Sequence, residues 1–541
     1  MGNIRIILFL KLKLERMKTK TTLLILFAFF AFKVYPQEVS MVKSEIFKDS
    51  KKNSYLDFSL EASNGDVITI RSYRGGMVQK LKGYYIQHFN DNLELLNEVE
   101  YEVDDNYIKN AFIKDGKLHL IEFEHVKKED RVVFNTVSAN LEDLKFSKKE
   151  LISFSEDKMQ KYFGFALFPF FISNFSQMDR NHLGEVVFSA SKKFFVINFD
   201  IKDKNKETHK IFVFNNNFEK VYDALVNKEI KDKLFEYESI DVADTDGTVY
   251  FLGKVFENDS RKSKKKGKAN YHFELLKIDA AGQEKTSFKN DDKFISSLEL
   301  IKGAGRLACV GFYGRKDEDR CNGVCLFNLD PESLSMINEK FSPFSEEFMT
   351  DKYGDRKNKK SRKTEKGIKN IDFKGVYMMS NGDIVINAEE FYITTHTMMS
   401  STGGMRTYVV YHFDDIMSIR LGQDGGLKWA RNINKAQTGF SNSSYTSIPV
   451  GESTYFFINC SDKIRKIGQG RIAFNQTKAK KSNLYMVSIN KKGNIDFEKL
   501  IDDKESKVYY RVNDGVINTD NQTVTFPGKK KKYTRILKIK I

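Results

Sequence analysis

Short runs of alternating apolar and polar residues recur along the chain, and a turn containing glycine, or a residue standing in for it, lies at each of them. Alternation of this kind predicts a β-strand with one buried face. Asn-Gly and Asp-Gly favour the positive φ of tight hairpin turns, so each copy predicts a strand–turn–strand corner. The copies are 51 to 77 residues apart, measured between positions 65, 116, 184, 247, 305, 382, 451 and 521. They read SNGDVITI (63–70), KDGKLHLI (114–121), HLGEVVFS (182–189), TDGTVYFL (245–252), GAGRLACV (303–310), SNGDIVIN (380–387), VGESTYFF (450–457) and TDNQTVTF (519–526).

A second pattern follows most copies of the first: an apolar strand enters a polar turn and another strand leaves it. The clearest examples are 275–288, 418–433 and 486–501, and looser ones are 86–99, 134–146, 211–225 and 325–337. Each unit therefore contains about four strands. Four antiparallel strands repeated about eight times predict a β-propeller. Two or three β-sandwiches in tandem are the alternative, but they would leave linkers that the sequence lacks.

The last unit has only three strands of its own, and the N-terminal segment EVSMVKSEIF (38–47) can supply the fourth. Leu537, Ile539 and Ile541 alternate to the final residue, as in a terminus that is held in a sheet. We therefore predict an all-β fold, a single propeller of seven or eight four-stranded blades, closed by the N- and C-terminal strands. Eight blades are favoured, and seven remain possible if the weak unit at 101–150 is irregular.

The second pattern, a strand followed by D-x-x-G and another strand, resembles the repeats of secreted bacterial β-propellers, including those related to quinoprotein propellers. The best copies are Asp279–Gly282, Gly422–Trp429 and Asn490–Gly493, and the resemblance spans most of residues 50–541. Quinoprotein repeats usually carry a tryptophan in every blade, whereas Trp429 is the single tryptophan here. That departure argues against a quinone, and we expect no cofactor.

The first 36 residues are predicted to be a targeting segment. Met17 is a plausible true start, because two lysines and an apolar run from Leu23 to Phe32 follow it. The run is too short for a comfortable membrane span and fits a secretory signal peptide, with an uncleaved anchor as the alternative. Residues 37–541 then form the propeller domain. We expect export to the periplasm or beyond the cell, with no transmembrane segment in the mature chain.

Composition agrees with a large, mostly β protein: 40% of the 541 residues are hydrophobic and 13% aromatic. Disorder is therefore excluded on composition. The four cysteines are too few for a disulfide framework, although Cys309 and Cys325 could face each other across a hairpin. No metal site and no catalytic motif of the common hydrolases or phosphate-binding enzymes is present in the sequence. The sequence therefore identifies no catalytic residue, and a non-catalytic protein is favoured.

Positive charge is concentrated in four runs: 261–268, 351–369, 462–481 and 528–532, which together carry a net charge of +22. The whole chain carries +16, of which the first 36 residues contribute +6. The rest of the chain is therefore acidic, at −12. In a propeller, hairpins between second and third strands and connections between blades emerge on one face, so all four runs should lie together. We call these four runs the basic fringe.

We expect the basic fringe to attract an anionic partner within a Debye length of ~8–10 Å, unless the lysines are only solvated loops. The leading hypothesis is an exported binding scaffold for an anionic glycan, lipopolysaccharide or acidic protein. Alternatives are an enzyme that acts on an extracellular glycan or a similar substrate in the central channel, and a structural part of a cell-envelope assembly. Nucleic acid is disfavoured because few aromatic residues interrupt the runs. The candidate anion-binding residues are Arg261, Lys262, Lys264, Lys265, Lys266, Lys268, Arg356, Lys357, Lys359, Lys360, Arg362, Lys363, Arg465, Lys466, Lys529, Lys530, Lys531 and Lys532.

Overall fold

A computed structural model describes most of residues 39–541, and the predicted signal peptide lies outside the described part. The other gaps are at 52, 77–79, 105, 156–183, 202, 205, 261, 263, 266–267, 291, 304, 316–319, 355–366, 400–404, 440–442 and 469–470. Eight antiparallel sheets follow one another along the chain, and each sheet contains the main strands of one blade. The predicted eight-bladed propeller is confirmed.

The first four blades each contain four consecutive strands, apart from one small ribbon in blade 4. That ribbon, Lys264–Lys265 with Lys268–Ala269, lies between the second and third strands of blade 4. Blade 2, the unit that looked weakest in the sequence, is regular. The strands are Asn53–Glu61, Val67–Gly75, Lys80–Phe89 and Leu95–Glu102 in blade 1; Asn106–Lys114, Lys117–Val126, Arg131–Asn140 and Ser147–Ser155 in blade 2; Glu185–Phe188, Phe194–Asp200, Lys206–Asn215 and Lys220–Lys231 in blade 3; and Phe235–Val242, Val249–Phe256, Tyr271–Ile278 and Gln283–Phe288 in blade 4.

Blades 5 to 7 repeat the plan but contain two additions: one α-helix, Glu346–Tyr353, between blades 5 and 6, and a hairpin, Arg465–Gly468 with Arg471–Asn475, in blade 7. Short 3-10 turns occur at Lys127–Glu129, Asp232–Leu234, Ala479–Lys481 and Val512–Asp514. The blade strands are Lys293–Gly303, Arg306–Arg315, Cys321–Leu329 and Met336–Pro343 in blade 5; Ile371–Met378, Ile384–Met399, Met405–Leu421 and Leu427–Thr438 in blade 6; and Tyr445–Val450, Ser453–Cys460, Asn483–Ile489 and Ile495–Ile501 in blade 7.

Blade 8 joins the two ends of the chain, as predicted. Its innermost strand is split into Tyr509–Tyr510 and Val516–Asn518, and it continues through Thr523–Lys530 and Tyr533–Lys540. The N-terminal strands Ser40–Lys43 and Phe47–Lys48 both pair with the last strand of the chain, with Met41 opposite Ile539. The ring is therefore closed by hydrogen bonds between two segments that are almost 500 residues apart.

The core lies between the faces of adjacent blades. Buried side chains of blades 4 and 5 form one cluster, those of blades 5 and 6 another, and Ile536 of blade 8 packs with Val67 and Phe89 of blade 1. The first strands of neighbouring blades contact each other around most of the ring, so they surround the central channel. Each blade is therefore a wedge that becomes stable by burying apolar side chains against two neighbours.

The predicted glycine turns connect first and second strands in seven blades, and blade 3 is the exception. Gly184 precedes the first strand of blade 3, whose hairpin turn is at 189–193, with Lys192 at φ 57°. Position 184 needs glycine for a different reason. A Cβ there would lie 2.7 Å from the ring of Phe199 and 2.9 Å from that of Phe134. The glycine in HLGEVVFS therefore serves a close contact between blades 2 and 3, and the predicted position of that turn is wrong.

The four cysteines are not paired with each other. Cys309 is opposite Phe327 in its sheet and Cys325 is opposite Gly311, so the predicted option that the two cysteines face each other is wrong. Within the described residues, the chain has no helix with the length and apolar character needed to cross a membrane.

Candidate functional site

In the described strand order, the connections that hold the four runs of the basic fringe all begin and end on one side of the disc, which we call the loop face. Runs 261–268, 462–481 and 528–532 connect second to third strands, and run 351–369 extends from the α-helix to the first strand of blade 6. Successive strands are antiparallel, so these connections all emerge on the same side. The turns between first and second strands, and between third and fourth, lie on the opposite side, which we call the turn face.

The described side chains of the basic fringe are mostly exposed. Lys262, Arg465, Lys466, Lys530, Lys531 and Lys532 are exposed. Only the backbone is described for Lys264, Lys265 and Lys268. Outside the described residues are Arg261, Lys266, Arg356, Lys357, Lys359, Lys360, Arg362 and Lys363.

Lys529 does not belong to the exposed fringe. It is 2% exposed, and its Nζ donates to Asp49 Oδ2 at 2.7 Å and to Ser54 Oγ at 2.6 Å. Burial lowers the pKa of Lys529 to about 8, although the Asp49 charge opposes this effect. The inclusion of Lys529 among the anion-binding residues is therefore corrected: its ammonium links blade 8 to the N-terminal segment.

A different chemistry occurs on the innermost strands of blades 3 to 6, which carry four carboxylates, three of whose charges act on the fourth, Glu299. They are Glu185, Glu238, Glu299 and Asp372. Tyr237 donates its hydroxyl hydrogen bond to Glu185, and Lys254 Nζ lies 2.9 Å from Glu238 Oε1. Asp372 forms an ion pair with Lys374 at 2.9 Å. Convergence of at least three acidic groups is the feature that the enzyme hypothesis requires of the channel.

Glu299 is the carboxylate in this group whose proton affinity stands out. Burial raises the pKa of Glu299 to about 7, and the charges of Glu238, Asp372 and Glu185 add to the effect. Burial also raises the pKa of the Glu185 and Glu238 carboxyls. A carboxyl that holds its proton near neutral pH is one of the two groups that general acid–base catalysis uses.

Sequence reasoning missed these four carboxylates, and in blades 4 to 6 β-bulges interrupt the alternation of the innermost strands. Bulges lie between Tyr237 and Ser239, between Ile295 and Ser297, and between Phe373 and Gly375. A bulge moves the following side chains to the other face of the strand. The distance of an acidic residue from the glycine turn therefore does not predict whether it reaches the channel.

Replacing Glu299 with glutamine is expected to stabilise the protein in a pH-dependent way. Because the folded state raises the pKa from 4.5 to about 7, the carboxyl favours folding below pH 4.5, and this contribution is lost as the pH rises through 7. The variant should match the wild type at pH 4.5 and exceed it by about 2 kcal/mol at pH 8, after allowance for partial solvent access. Urea unfolding at the two pH values tests this, and a difference that does not change with pH would contradict it.

No protein-family model and no curated protein matches the chain. Solved structures with a similar arrangement include the β-propeller domain of the trilobed protease from Pyrococcus furiosus, at 10% identity and a TM-score of 0.35, covering 84% of this chain and 97% of that one. Acylaminoacyl peptidase from Pyrococcus horikoshii is 10% identical with a TM-score of 0.36, covering 88% of this chain and 58% of that one. A β-fructofuranosidase of Bombyx mori is 10% identical with a TM-score of 0.25, covering 84% and 95%. Likeness at this level carries no inference about activity.

Proposed function

We propose that the protein is an exported binding propeller that docks an anionic partner on its loop face. The partner is an acidic glycan, a lipopolysaccharide or an acidic protein. The observation that supports this proposal is the strand order, in which the four connections that hold the basic runs begin and end on the same side of the disc. Export to the periplasm or the cell exterior is part of the proposal and rests on the targeting segment at 1–36.

Charge at this face acts on a partner before contact and strengthens binding after it. Lys530, Lys531 and Lys532 stand together at the tip of one hairpin, and Arg465 and Lys466 stand on another. Single exposed ion pairs contribute only ~0.2–1 kcal/mol each, so a useful affinity needs several of them at once. Clustering on one face supplies that multiplicity and focuses the field there.

Charge reversal of four exposed lysines of the loop face tests the proposal. The variant replaces Lys262, Lys530, Lys531 and Lys532 with glutamate, and it leaves out Lys529 because that side chain is buried. Loss of four contacts at the magnitude above should weaken binding to heparin or to lipopolysaccharide by about tenfold or more at low salt. Affinity chromatography and titration at low salt measure the change.

The matched control makes the same charge change on the turn face. It replaces Lys192, Lys193, Lys491 and Lys492 with glutamate, in turns of blades 3 and 7. The net charge of the two variants is identical, so a specific docking face predicts that only the loop-face variant loses retention. Equal loss of retention in both variants would show that net charge alone causes the effect, and it would reject the proposal. Retention of envelope proteins by both variants would favour the assembly role.

A second candidate function, hydrolysis of an extracellular glycan in the channel, is favoured by Glu299. Glycosidases use one carboxyl that is protonated and another that is ionised. Raised proton affinity at Glu299 beside Asp372 meets the first part of that requirement. Release of reducing sugar from extracellular polysaccharides, measured for the wild type and for Glu299→Gln, tests it: activity that survives the substitution unchanged would exclude Glu299 as the acid.

A further inference from the structure

Two additions to the blade repeat meet on one flank of the propeller. The helix Glu346–Tyr353 and the strand Arg471–Asn475 both lie against Leu427–Thr438, the outer strand of blade 6. The added strand pairs with it in parallel, with Asn434 opposite Ala473. Together with the outer strand of blade 7 they enclose a cavity of about 360 Å³. This volume is at the small end of the range for cavities that bind small molecules.

One wall of the cavity carries a guanidinium that no described carboxylate neutralises. Arg471 Nη1 donates to the backbone oxygens of Asp351 and Lys352 at 3.3 and 3.2 Å, at the C-terminal end of the helix. Its Nε is buried and has no hydrogen-bond partner in the described part of the chain. The neighbouring Arg431 differs, because Asp351 accepts from its Nε at 2.6 Å and from its Nη2 at 3.2 Å.

Asn432 contributes a second polar group that lacks a partner. The residue is 3% exposed, and its Nδ2 donates to Asp415 Oδ2 at 3.1 Å. Its Oδ1 is buried without a hydrogen bond among the described residues. A buried acceptor or donor without a partner destabilises a fold, so the residues that line this cavity carry one unused acceptor and one unused donor.

The opposite side of the cavity is apolar and ends in an exposed ring. Ile433, Ile472 and Ile495 line it, and Phe497 lies at the rim with 40% of its surface exposed. An exposed ring beside polar groups is suited to a ligand that has both an apolar face and hydroxyls. A capping role for Arg471 at the helix end explains its Nη1 contacts, but it does not explain this apolar side or the unused groups.

We propose that the cavity binds a carboxylated sugar, either free or as a unit of a glycan. The carboxylate meets the guanidinium of Arg471 at its Nη atoms, and the sugar hydroxyls, which both donate and accept, bond the polar side chains of the lining, Asn432 and Asn494. The C–H face of the pyranose ring packs on Phe497. Arg471 belongs to run 462–481 of the basic fringe, but the two proposals are tested separately, because Lys262 and Lys530–Lys532 take no part in this site.

Ligand-observed NMR titration of the full chain with methyl β-glucuronide tests the proposal, with methyl β-glucoside as the neutral comparison. Saturable binding of the glucuronide with a dissociation constant near ~1 mM is expected, at least about tenfold tighter than that of the glucoside. Arg471→Gln should abolish the preference for the glucuronide. A glucuronate disaccharide that binds more tightly than the monosaccharide identifies a glycan, and equal binding identifies the free sugar.

A second variant keeps the test valid if Arg471→Gln does not fold. Phe497→Ala alters a rim side chain and should weaken glucuronide binding about tenfold, whereas Met336→Ala, similarly exposed at 41% on the outer strand of blade 5, should leave it unchanged. The four-lysine variant of the loop face should bind the sugar normally even if it loses heparin. Absence of saturable binding at ~10 mM, equal binding of both glycosides, or no effect of Phe497→Ala overturns the proposal.

Discussion

Replacing Asp49 with alanine is expected to lower the free energy of unfolding by about 3–5 kcal/mol, because it removes the anion that two buried cations share. Asp49 accepts from Arg71 Nη1 and Nη2, both at 2.9 Å, and from Lys529 Nζ at 2.7 Å. Arg71 belongs to blade 1 and Lys529 to blade 8, so this carboxylate links the two sides of the ring closure. Without it, both cations stay buried with no opposite charge.

The effect of Asp49 depends on pH, and the sign follows from its pKa. Burial would raise the pKa of Asp49, but the charges and hydrogen bonds of Arg71 and Lys529 lower it from 3.8 to about 2. A carboxyl with a lowered pKa stabilises the fold above pH 3.8, and that contribution is lost as the pH falls towards 2. The difference between wild type and variant should therefore shrink in acid.

Urea unfolding at pH 7 and at pH 3 measures the effect, and Glu45→Ala is the matched control. Glu45 is an exposed carboxylate in the same N-terminal segment, and its loss should change stability by less than about 0.5 kcal/mol. A cost below about 1 kcal/mol for Asp49→Ala would mean that the ring is closed by backbone pairing and apolar contacts alone.

Ring closure shows which part of the fold is readable from sequence. The alternation of Leu537, Ile539 and Ile541 predicted a terminal strand, and the structure pairs it with Ser40–Lys43. The charge network beneath it was not predictable, since Asp49 and Lys529 are 480 residues apart and Lys529 looks like any lysine in GKKKK. Periodic patterns predict local strands, whereas a contact between distant side chains depends on how the ring closes.

The additions to the repeat were harder to predict for a related reason. The helix Glu346–Tyr353 falls next to a run dominated by lysines, and its anchor is the single buried ring of Phe348. Its mean apolar character is weak, so the sequence shows no amphipathic stripe there. The added strand Arg471–Asn475 looked like part of a charged loop, although Phe474 is fully buried. The cavity on this flank consequently had no signature in the sequence.

The channel carboxylates are another feature that could not be predicted from the sequence. Acidic residues occur at many positions in the blades, and three of the four innermost strands that carry these carboxylates are bulged. The basic fringe could be proposed from the sequence because its charge is local in sequence, and its role stays a prediction.

Replacing Glu389 with leucine is expected to cost about 3–5 kcal/mol, and adding Lys435→Met should recover most of that loss. Both side chains are 0% exposed, and Lys435 Nζ lies 2.5 Å from Glu389 Oε1. Removing one partner leaves the other charge buried and unpaired, whereas replacing both with apolar side chains of similar size is often close to neutral.

Two hydrogen bonds from this pair to neighbouring groups limit how much stability the second substitution recovers. Lys435 Nζ also donates to the backbone oxygen of Phe413 at 2.8 Å, and Ser444 Oγ donates to Glu389 Oε2 at 2.6 Å. The double variant leaves these two polar groups without partners, at about 1 kcal/mol each, so it should remain about 1–2 kcal/mol below the wild type. The coupling energy between the two substitutions should therefore be at least about 3 kcal/mol.

A double-mutant cycle by urea unfolding at pH 7 measures this coupling, with Lys374→Met as a control because its Nζ is 3.9 Å from Glu389 and partly exposed. Burial lowers the pKa of Lys435, so the folded state binds its proton less readily than the unfolded state. In Glu389→Leu, stability should therefore rise as the pH approaches 10.5, the usual pKa of lysine. Additive single effects with no such rise would show that water reaches the pair, and that the strands of blade 6 are held together by backbone pairing and apolar contacts instead.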